Sequence, residues 1–202
     1  MPPPPIHRTE AEVYILESLT QENEDAGLFE GRALYETLRM AGKNPIYKYF
    51  RTIDELELLA LMYRESGYRY LHISCHGDIN KIHTTLDSIT YLQFASIFDG
   101  LLRNRRLFMS ACETGNQLFS EIVAAKNKGM YSIAAPIDNI RFDQAYAIWT
   151  AFYTKAYLID HKKMKTQYMY AAMQKLCKLF EVRFHWSGYT AKKDEWFHRA
   201  LS

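Results

Sequence analysis

Short apolar segments and longer amphipathic segments alternate along most of this sequence. Segments such as Val13–Leu16, Tyr70–Ser74 and Arg106–Ser110 have the length and the residue types of buried strands. Between them, apolar residues recur three and four positions apart, as they do on one face of a helix. This order is typical of parallel strands joined by crossover helices. We therefore predict an α/β fold, a three-layer sandwich with a mostly parallel central sheet and helices on both faces.

Turn and capping signals predict where these elements begin and end. Thr52 and Thr90 each stand three residues before a Glu or Gln, which is the capping-box spacing at a helix start. Gly42 and Gly67 stand where the preceding helices should end. Residues Thr20–Gly27 are acidic and rich in turn formers, and we expect a loop there. The other predicted elements are strands at Tyr47–Phe50, Met130–Ala134 and Val182–Tyr189, a hairpin at Lys81–Leu86, and helices at Phe142–Leu158 and Met164–Phe180.

Length and composition favour one folded unit. The chain has 202 residues, and dividing it would leave two halves with poor cores. Hydrophobic residues make up 48% and charged residues 24%, which argues against a disordered or fibrous chain. We expect a proline-rich tail at residues 1–10 and a single domain at residues 11–202.

Charge and cysteine content limit the expected partners. The 25 Lys and Arg residues nearly balance the 23 Asp and Glu residues, so neither a nucleic-acid-binding nor a membrane-binding surface is expected. The three cysteines form no Cys-x-x-Cys pair, which indicates free thiols in a reducing compartment. No signal-like or membrane-spanning apolar run and no glycine-rich nucleotide motif occurs. We expect a cytoplasmic protein without a cofactor or a bound metal.

Two reactive side chains follow neighbouring predicted strands. His76 comes directly after the strand that ends at Ser74, and Cys112 directly after the strand that ends at Ser110. The carboxyl ends of adjacent parallel strands meet at one edge of a sheet, so the two loops should face each other. A nearby imidazole can deprotonate a thiol, and a helix beginning near Cys112 would favour the thiolate. We therefore predict a His76–Cys112 dyad.

The residues around this dyad suggest an oxyanion hole and a substrate pocket. The backbone N–H groups of Gly77 and Cys112 are the candidate donors to an oxyanion, since a glycine lets the backbone come close to a substrate carbonyl. Acidic side chains near the cleft would favour basic or neutral substrate residues, whereas a preference for acidic ones would need an arginine such as Arg141. The candidate acidic residues are Asp78, Asp138 and Asp143.

The segments that hold these residues resemble the two signatures of CHAT domains, caspase-like cysteine peptidases that include relatives of separase. The segments are Leu71–Gly77 (LHISCHG) and Leu107–Gly115 (LFMSACETG). The similarity extends along most of the chain, to the closing motif Phe184–Tyr189 (FHWSGY). The resemblance implies a caspase-hemoglobinase fold, with His76 as general base and Cys112 as nucleophile in peptide cleavage. By analogy it suggests a role in prokaryotic defence or regulated cell death.

The same residues are also compatible with other functions. The chain could be a catalytically inactive CHAT-like module that docks partners through aromatic surface residues, or a small-molecule binder at the same edge of the sheet. A zinc site is disfavoured, because the spacing of its candidate ligands fits no usual zinc motif: His72, Cys75, His76 and His83. Cys75 should point away from the cleft, and Cys177 should lie in the core.

Regulation is expected to come from outside the domain, because one catalytic unit uses nearly all of the residues. We expect a protein substrate, and a regulatory partner protein or self-association that orders the loops around His76 and Cys112. The candidate contact surface is the loop Glu22–Phe29 together with the basic helix start His161–Lys165.

Overall fold

A computed structural model describes residues 9–190 and 193–202 of the chain. Most of the predicted proline-rich tail, residues 1–8, lies outside the described residues. The first strand begins at Glu10, where Glu10 already pairs with Tyr68.

Seven of the strands form one twisted sheet. The strands of the described chain are β1 Glu10–Glu17, β2 Ile46–Tyr49, β3 Tyr68–Ser74, β4 His76–Gly77, β5 Lys81–His83, β6 Ser88–Thr90, β7 Arg106–Ser110, β8 Ser132–Pro136, β9 Phe184–Thr190 and β10 Glu195–Leu201. The large sheet has the order β10-β9-β8-β7-β3-β1-β2. Strands β2, β1, β3, β7 and β8 are parallel, whereas β9 and β10 add an antiparallel edge. The predicted mostly parallel sheet is confirmed.

Helices cover both faces of this sheet. They are α1 Gln21–Asp25, α2 Glu30–Met40, α3 Ile53–Ser66, α4 Tyr91–Ile97, α5 Gln117–Lys126, α6 Phe142–Ile159 and α7 Thr166–Phe180. Helices α3, α4 and α5 pack on one face, and α2, α6 and α7 on the other. The predicted three-layer arrangement is therefore confirmed. Within the described residues, no helix combines the length and the hydropathy that a bilayer crossing requires.

The two faces of the sheet have separate hydrophobic cores because side chains alternate along each strand. Leu107 and Met109 of β7 point to the α3–α5 side, and Phe108 between them points to the α6 side. There the ring of Phe108 packs against Trp149 and Phe152 of α6, with ring centroids 5.6 and 5.2 Å apart. This packing holds the central strands, and with them the loops at their carboxyl ends.

Helix α1 and strand β10 were not predicted from the sequence, and several predicted elements begin or end at other residues than expected. Helix α1 occupies the segment expected to be a loop, and its five residues are too few for a periodic pattern. Strand β10 lies at the edge of the sheet and is half-exposed, so it lacks the continuous apolar pattern of a buried strand. Helix α7 begins at Thr166 instead of Met164, because Met164 adopts a left-handed conformation with φ of 41°.

Candidate active site

His76 lies directly beyond the carboxyl end of β3. The backbone N–H of Cys75 still donates to the carbonyl of Ser110 on β7, at 3.2 Å, so the two strand exits stay joined up to this point. His76 then starts the short strand β4 and pairs with His83 of β5. The small sheet of β4, β5 and β6 thus sets the direction in which the chain leaves the cleft.

Cys112 lies in a tight turn after β7. The Oγ1 of Thr114 donates to the carbonyl of Ala111 at 2.8 Å, and Glu113 adopts a left-handed conformation with φ of 58°. The N–H of Gly115 donates to the carbonyl of Pro136 at 2.7 Å. A Cβ on Gly115 would lie only 2.4 Å from that carbonyl oxygen, so this close approach requires glycine. The turn is therefore held against the end of β8.

The two loops meet at Gly77. A Cβ on Gly77 would lie 2.8 Å from the Cγ2 of Thr114 and 2.9 Å from the carbonyl oxygen of Cys112. The residue next to His76 is thus in van der Waals contact with the backbone of Cys112. The structure brings together the two loops whose proximity the strand order predicted, and the absence of a side chain at position 77 is a condition of that contact.

The sulfur of Cys112 is half-buried and contacts the backbone of Ile140. The N–H of Ile140 points at Sγ at 3.4 Å, and the thiol reaches the carbonyl of Ile140 at 3.6 Å. The expected helix start at Cys112 is wrong, because α5 begins at Gln117 behind the capping residue Asn116. The N–H that donates to the sulfur belongs instead to Ile140, in the segment that leads into α6.

The imidazole of His76 is held by a residue that the sequence did not single out. The Nδ2 of Asn23 lies 2.6 Å from the Nε2 of His76, and the ring of Phe142 packs edge-on at 5.6 Å between centroids. Burial lowers the pKa of His76, and nearby His83 lowers it further. The imidazole is therefore neutral at pH 7, as a general base must be. Nε2 faces Asn23, and Nδ1 can accept a proton only in the tautomer that carries its hydrogen on Nε2.

Helix α1 carries Asn23 and is itself anchored to the end of β2. The Oγ1 of Thr20 caps the helix by accepting from the N–H of Asn23 at 3.3 Å. Glu24 accepts from the hydroxyl of Tyr49 at 2.5 Å and pairs with Arg51. These contacts hold the carboxamide at the edge of the cleft. In the sequence, α1 is indicated only by Thr20 as a possible N-terminal cap. Such caps are too common to identify Asn23 as a functional residue.

Each of the three acidic residues predicted for the substrate pocket has a partner. The Oδ2 of Asp78 lies 2.8 Å from the Nε2 of His83. The other two carboxylates pair with guanidinium groups: Asp138 with Arg183, and Asp143 with Arg141. Backbone N–H donors keep the pKa of Asp78 below its ordinary value. The paired arginines do the same for the pKa of Asp138 and of Asp143. Of the three, Asp138 lines a cavity of about 140 Å³ that also borders Ile140, the backbone partner of the Cys112 sulfur.

The other two cysteines and His72 lie away from the two loops. Cys75 is buried in the core on the α3–α5 side, and burial raises the pKa of its thiol strongly. Cys177 is buried on the α6 side. His72 packs against the ring of Trp149 in the same layer. Across residues 9–190 and 193–202, no three His, Cys, Asp or Glu side chains are grouped as ligands of a metal would be.

The two segments proposed as a joint contact surface lie at opposite ends of the sheet. The segment Glu22–Phe29 borders the cleft through Asn23, at the carboxyl end of β3. The carbonyl of Lys163, in the segment His161–Lys165, accepts from Arg69 at the amino end of the same strand. Strand β3 has seven residues, which separates the two ends by about 20 Å. The structure therefore does not join these segments into one surface.

No protein-family profile matches the chain, and no curated protein resembles it in sequence. Among solved structures, its fold is similar to the X-ray structure of a secreted C11 cysteine protease from Bacteroides thetaiotaomicron, "iotapain". The TM-score is 0.53 and the identity 11%, over 89% of this chain and 66% of the other. The chain thus spans just under two thirds of that protein's length. At this identity the likeness shows the fold alone, and it confirms the expected caspase-like architecture.

Proposed function

We propose that this protein is a caspase-like cysteine endopeptidase of the CHAT type, with Cys112 as nucleophile and His76 as general base. One observation carries the proposal: Gly77, the residue next to His76, lies against the backbone of Cys112. This contact places a partly accessible thiol and a neutral imidazole on two touching loops at the carboxyl edge of the sheet. Catalytic groups of open α/β folds collect at this edge.

The reaction follows from the chemistry of a thiol beside an imidazole. His76 accepts the proton of the Cys112 thiol, and the sulfur forms a bond to the carbonyl carbon of the substrate peptide. The N–H groups of Gly77 and Cys112 are the proposed donors to the resulting oxyanion. The C–N bond then breaks, and the proton on His76 passes to the leaving amine. Water attacks the remaining thioester, releases the new carboxyl terminus and restores the thiol.

Asn23 supports both protonation states of His76 in this sequence. A carboxamide presents N–H donors on one side and a carbonyl acceptor on the other. For Nδ1 to accept the thiol proton, Nε2 must carry the hydrogen of the neutral ring, and the carboxamide must present Oδ1 to that Nε2–H, which a half-turn of the amide achieves. Oδ1 then accepts from Nε2–H both before and after the ring gains its second proton. We therefore regard Asn23 as a positioning residue for the base.

The wider biological setting is part of the same proposal. We propose a protein substrate, a cytoplasmic location, and activation by a partner protein or by self-association in a prokaryotic defence or cell-death pathway. Asp138 borders the cleft already paired with Arg183. A substrate therefore meets both signs of charge there, and the preference for basic or neutral residues is expected to be weak.

The proposal is tested by comparing two cysteine variants. An iodoacetamide probe should label Cys112 but neither buried thiol, so labelling should disappear in Cys112→Ala and persist in Cys75→Ala, the matched control. Cleavage of a proteome-derived peptide library, analysed by mass spectrometry, should disappear with the same variant. Cleavage that survives in Cys112→Ala would contradict the assignment. Labelling without any cleavage would favour the catalytically inactive module.

A further inference from the structure

A second polar depression lies at the amino ends of β3 and β7, at the opposite end of the sheet from the candidate active site. It has a volume of about 450 Å³. Four of the six residues that line it are basic, and none is acidic: Arg69, Arg106, Tyr131, Lys163, Lys165 and Thr166. The peptidase proposal uses none of them. Concentrated positive charge without a carboxylate distinguishes this depression from the cleft beside Cys112.

Arg106 is buried here without an ionic partner. Its side chain is almost fully enclosed, with a residue exposure of 4%. The guanidinium donates to the neutral oxygens of Ser132 at 2.8 Å and Thr166 at 2.9 Å. Among the described residues, Nε has no hydrogen-bond partner. A buried guanidinium is costly unless a negative charge compensates it.

Arg69 brings a second guanidinium to the same place. Within the described residues its donors reach neutral oxygens alone, those of Thr9, Lys162 and Lys163. Burial, with a smaller contribution from Arg69, lowers the pKa of Arg106 to about 10. Two like charges are thus held together in a partly enclosed site, which favours a bound anion between them.

No carboxylate of the protein supplies that negative charge. No described acidic residue forms an ion pair with Arg69 or Arg106, and residues 1–8 and 191–192 contain no Asp or Glu. Asp160, at the end of α6, accepts from the backbone N–H groups of Lys162 and Lys163 and does not line the depression. The compensating group must come from outside the chain.

The first turn of α7 opens onto the same depression. This helix has 15 residues, its N-terminal cap is Lys165, and no side chain caps its first turn. The N-terminus of a helix of this length carries a partial positive charge and N–H groups without partners in the helix. Thr166, its first residue, lines the depression. Guanidinium groups, ammonium groups and a helix N-terminus therefore converge on one volume.

We propose that this depression binds a phosphoryl group. The tetrahedral dianion matches the planar donors of arginine, and Lys163 and Lys165 supply further charge at the rim. Either inorganic phosphate or a small phosphorylated metabolite can present this group. A bound phosphoryl group would connect β3 and β7 to α7 and so stabilise the two strands that lead to His76 and Cys112. The proposal does not depend on peptidase activity.

The test measures binding to the full chain by calorimetry and thermal unfolding. Inorganic phosphate should raise the Tm in a saturable way relative to chloride at equal ionic strength. The exposed rim variant Lys163→Gln/Lys165→Gln should bind at least about tenfold more weakly, since the loss of even one charged hydrogen bond corresponds to about a factor of ten. Lys175→Gln, an exposed change on α7 outside the depression, is the matched control and should bind as the unchanged protein does.

The same titration with ATP identifies the source of the group. Tighter binding of ATP than of phosphate would assign the site to a phosphorylated metabolite, and equal binding would assign it to free phosphate. Arg106→Met is a second probe and should abolish the response if it folds. Absence of any phosphate-specific Tm shift, or an equal affinity in the rim variant, would overturn the proposal.

Discussion

Asn23 and His76 are separated by 53 positions in the chain and by 2.6 Å in the fold. The contact fixes the orientation of the imidazole ring, because Nε2 faces the carboxamide. It also depends on α1, whose position follows from the contacts of Glu24 with Tyr49 and Arg51. A residue outside the two motif segments thus controls the orientation of the proposed base.

Replacing Asn23 should change the proposed base without touching the nucleophile. Asn23→Ala removes one neutral hydrogen bond, worth about 1 kcal/mol, and should lower kcat/KM roughly fivefold. Asn23→Asp places a carboxylate beside the ring and should raise the pKa of His76, which moves the acidic limb of the pH profile to higher pH. In the unchanged protein that limb should lie below pH 6.5, because burial lowers the pKa of His76.

The 15N shifts of the His76 ring report the same changes independently of catalysis. They can be measured in the Cys112→Ala background, so a protein without peptidase activity can still be tested. An unchanged tautomer in Asn23→Ala, together with an unchanged pKa of His76 in Asn23→Asp, would refute the positioning role.

At the scale of elements, the helices that flank the small sheet begin with reciprocal caps. In α3 the Oγ1 of Thr52 accepts from the N–H of Glu55, and the side chain of Glu55 accepts from the N–H of Thr52, both at 3.2 Å. The same arrangement opens α4 at Thr90 and Gln93. Both caps were predicted from spacing alone, since each partner lies only three positions from the other.

Removing the hydroxyl of Thr52 should destabilise the protein modestly. Thr52→Ala leaves a first-turn N–H without its acceptor and should lower the free energy of unfolding by about 1 kcal/mol. Thr52→Ser keeps the hydroxyl and serves as the control, with an expected loss of only a few tenths of a kcal/mol. Urea unfolding of the three proteins measures the difference. Equal losses in both variants would show that packing of the threonine methyl group, not the cap, stabilises this end.

On the scale of the whole molecule, Glu17 links several elements from a buried position. Its carboxylate accepts from the N–H of Gly31 at 2.6 Å and from the hydroxyl of Tyr47 at 2.8 Å, so it connects β1 with α2 and β2. Burial raises the pKa of Glu17 to about 7, although these hydrogen bonds act in the opposite direction. The protonated form is therefore favoured in the folded state relative to the unfolded chain.

This difference makes global stability depend on pH. Between about pH 4.5 and 7 the unfolded chain loses the Glu17 proton while the folded protein keeps it, so the free energy of unfolding falls as pH rises. From the two pKa values, 4.5 and about 7, the total loss is about 3 kcal/mol. Urea unfolding between pH 5 and 8 should give a flatter profile for Glu17→Gln than for the unchanged protein. Parallel profiles would contradict this account of Glu17.

The sequence alone was sufficient for the layers of the fold and for the two loops of the candidate site. Strand alternation, helix periodicity and capping boxes connect residues two to four positions apart, so they can be read along the chain. Adjacent parallel strands then bring their carboxyl ends together, which predicted that the loops of His76 and Cys112 would meet. Strand β10 was not predicted, because an exposed edge strand lacks the apolar pattern of a buried strand.

Only the tertiary structure decided which groups surround each reactive atom. The contacts of Asn23 with His76, of Ile140 with the Cys112 sulfur and of Arg183 with Asp138 join positions 28 to 53 residues apart. Such contacts depend on how whole elements pack, and no local spacing encodes them. The same packing placed Arg69 beside Arg106 without a carboxylate. Local propensities act over a few residues, whereas the chemistry of a site depends on distances in space that only the packed chain sets.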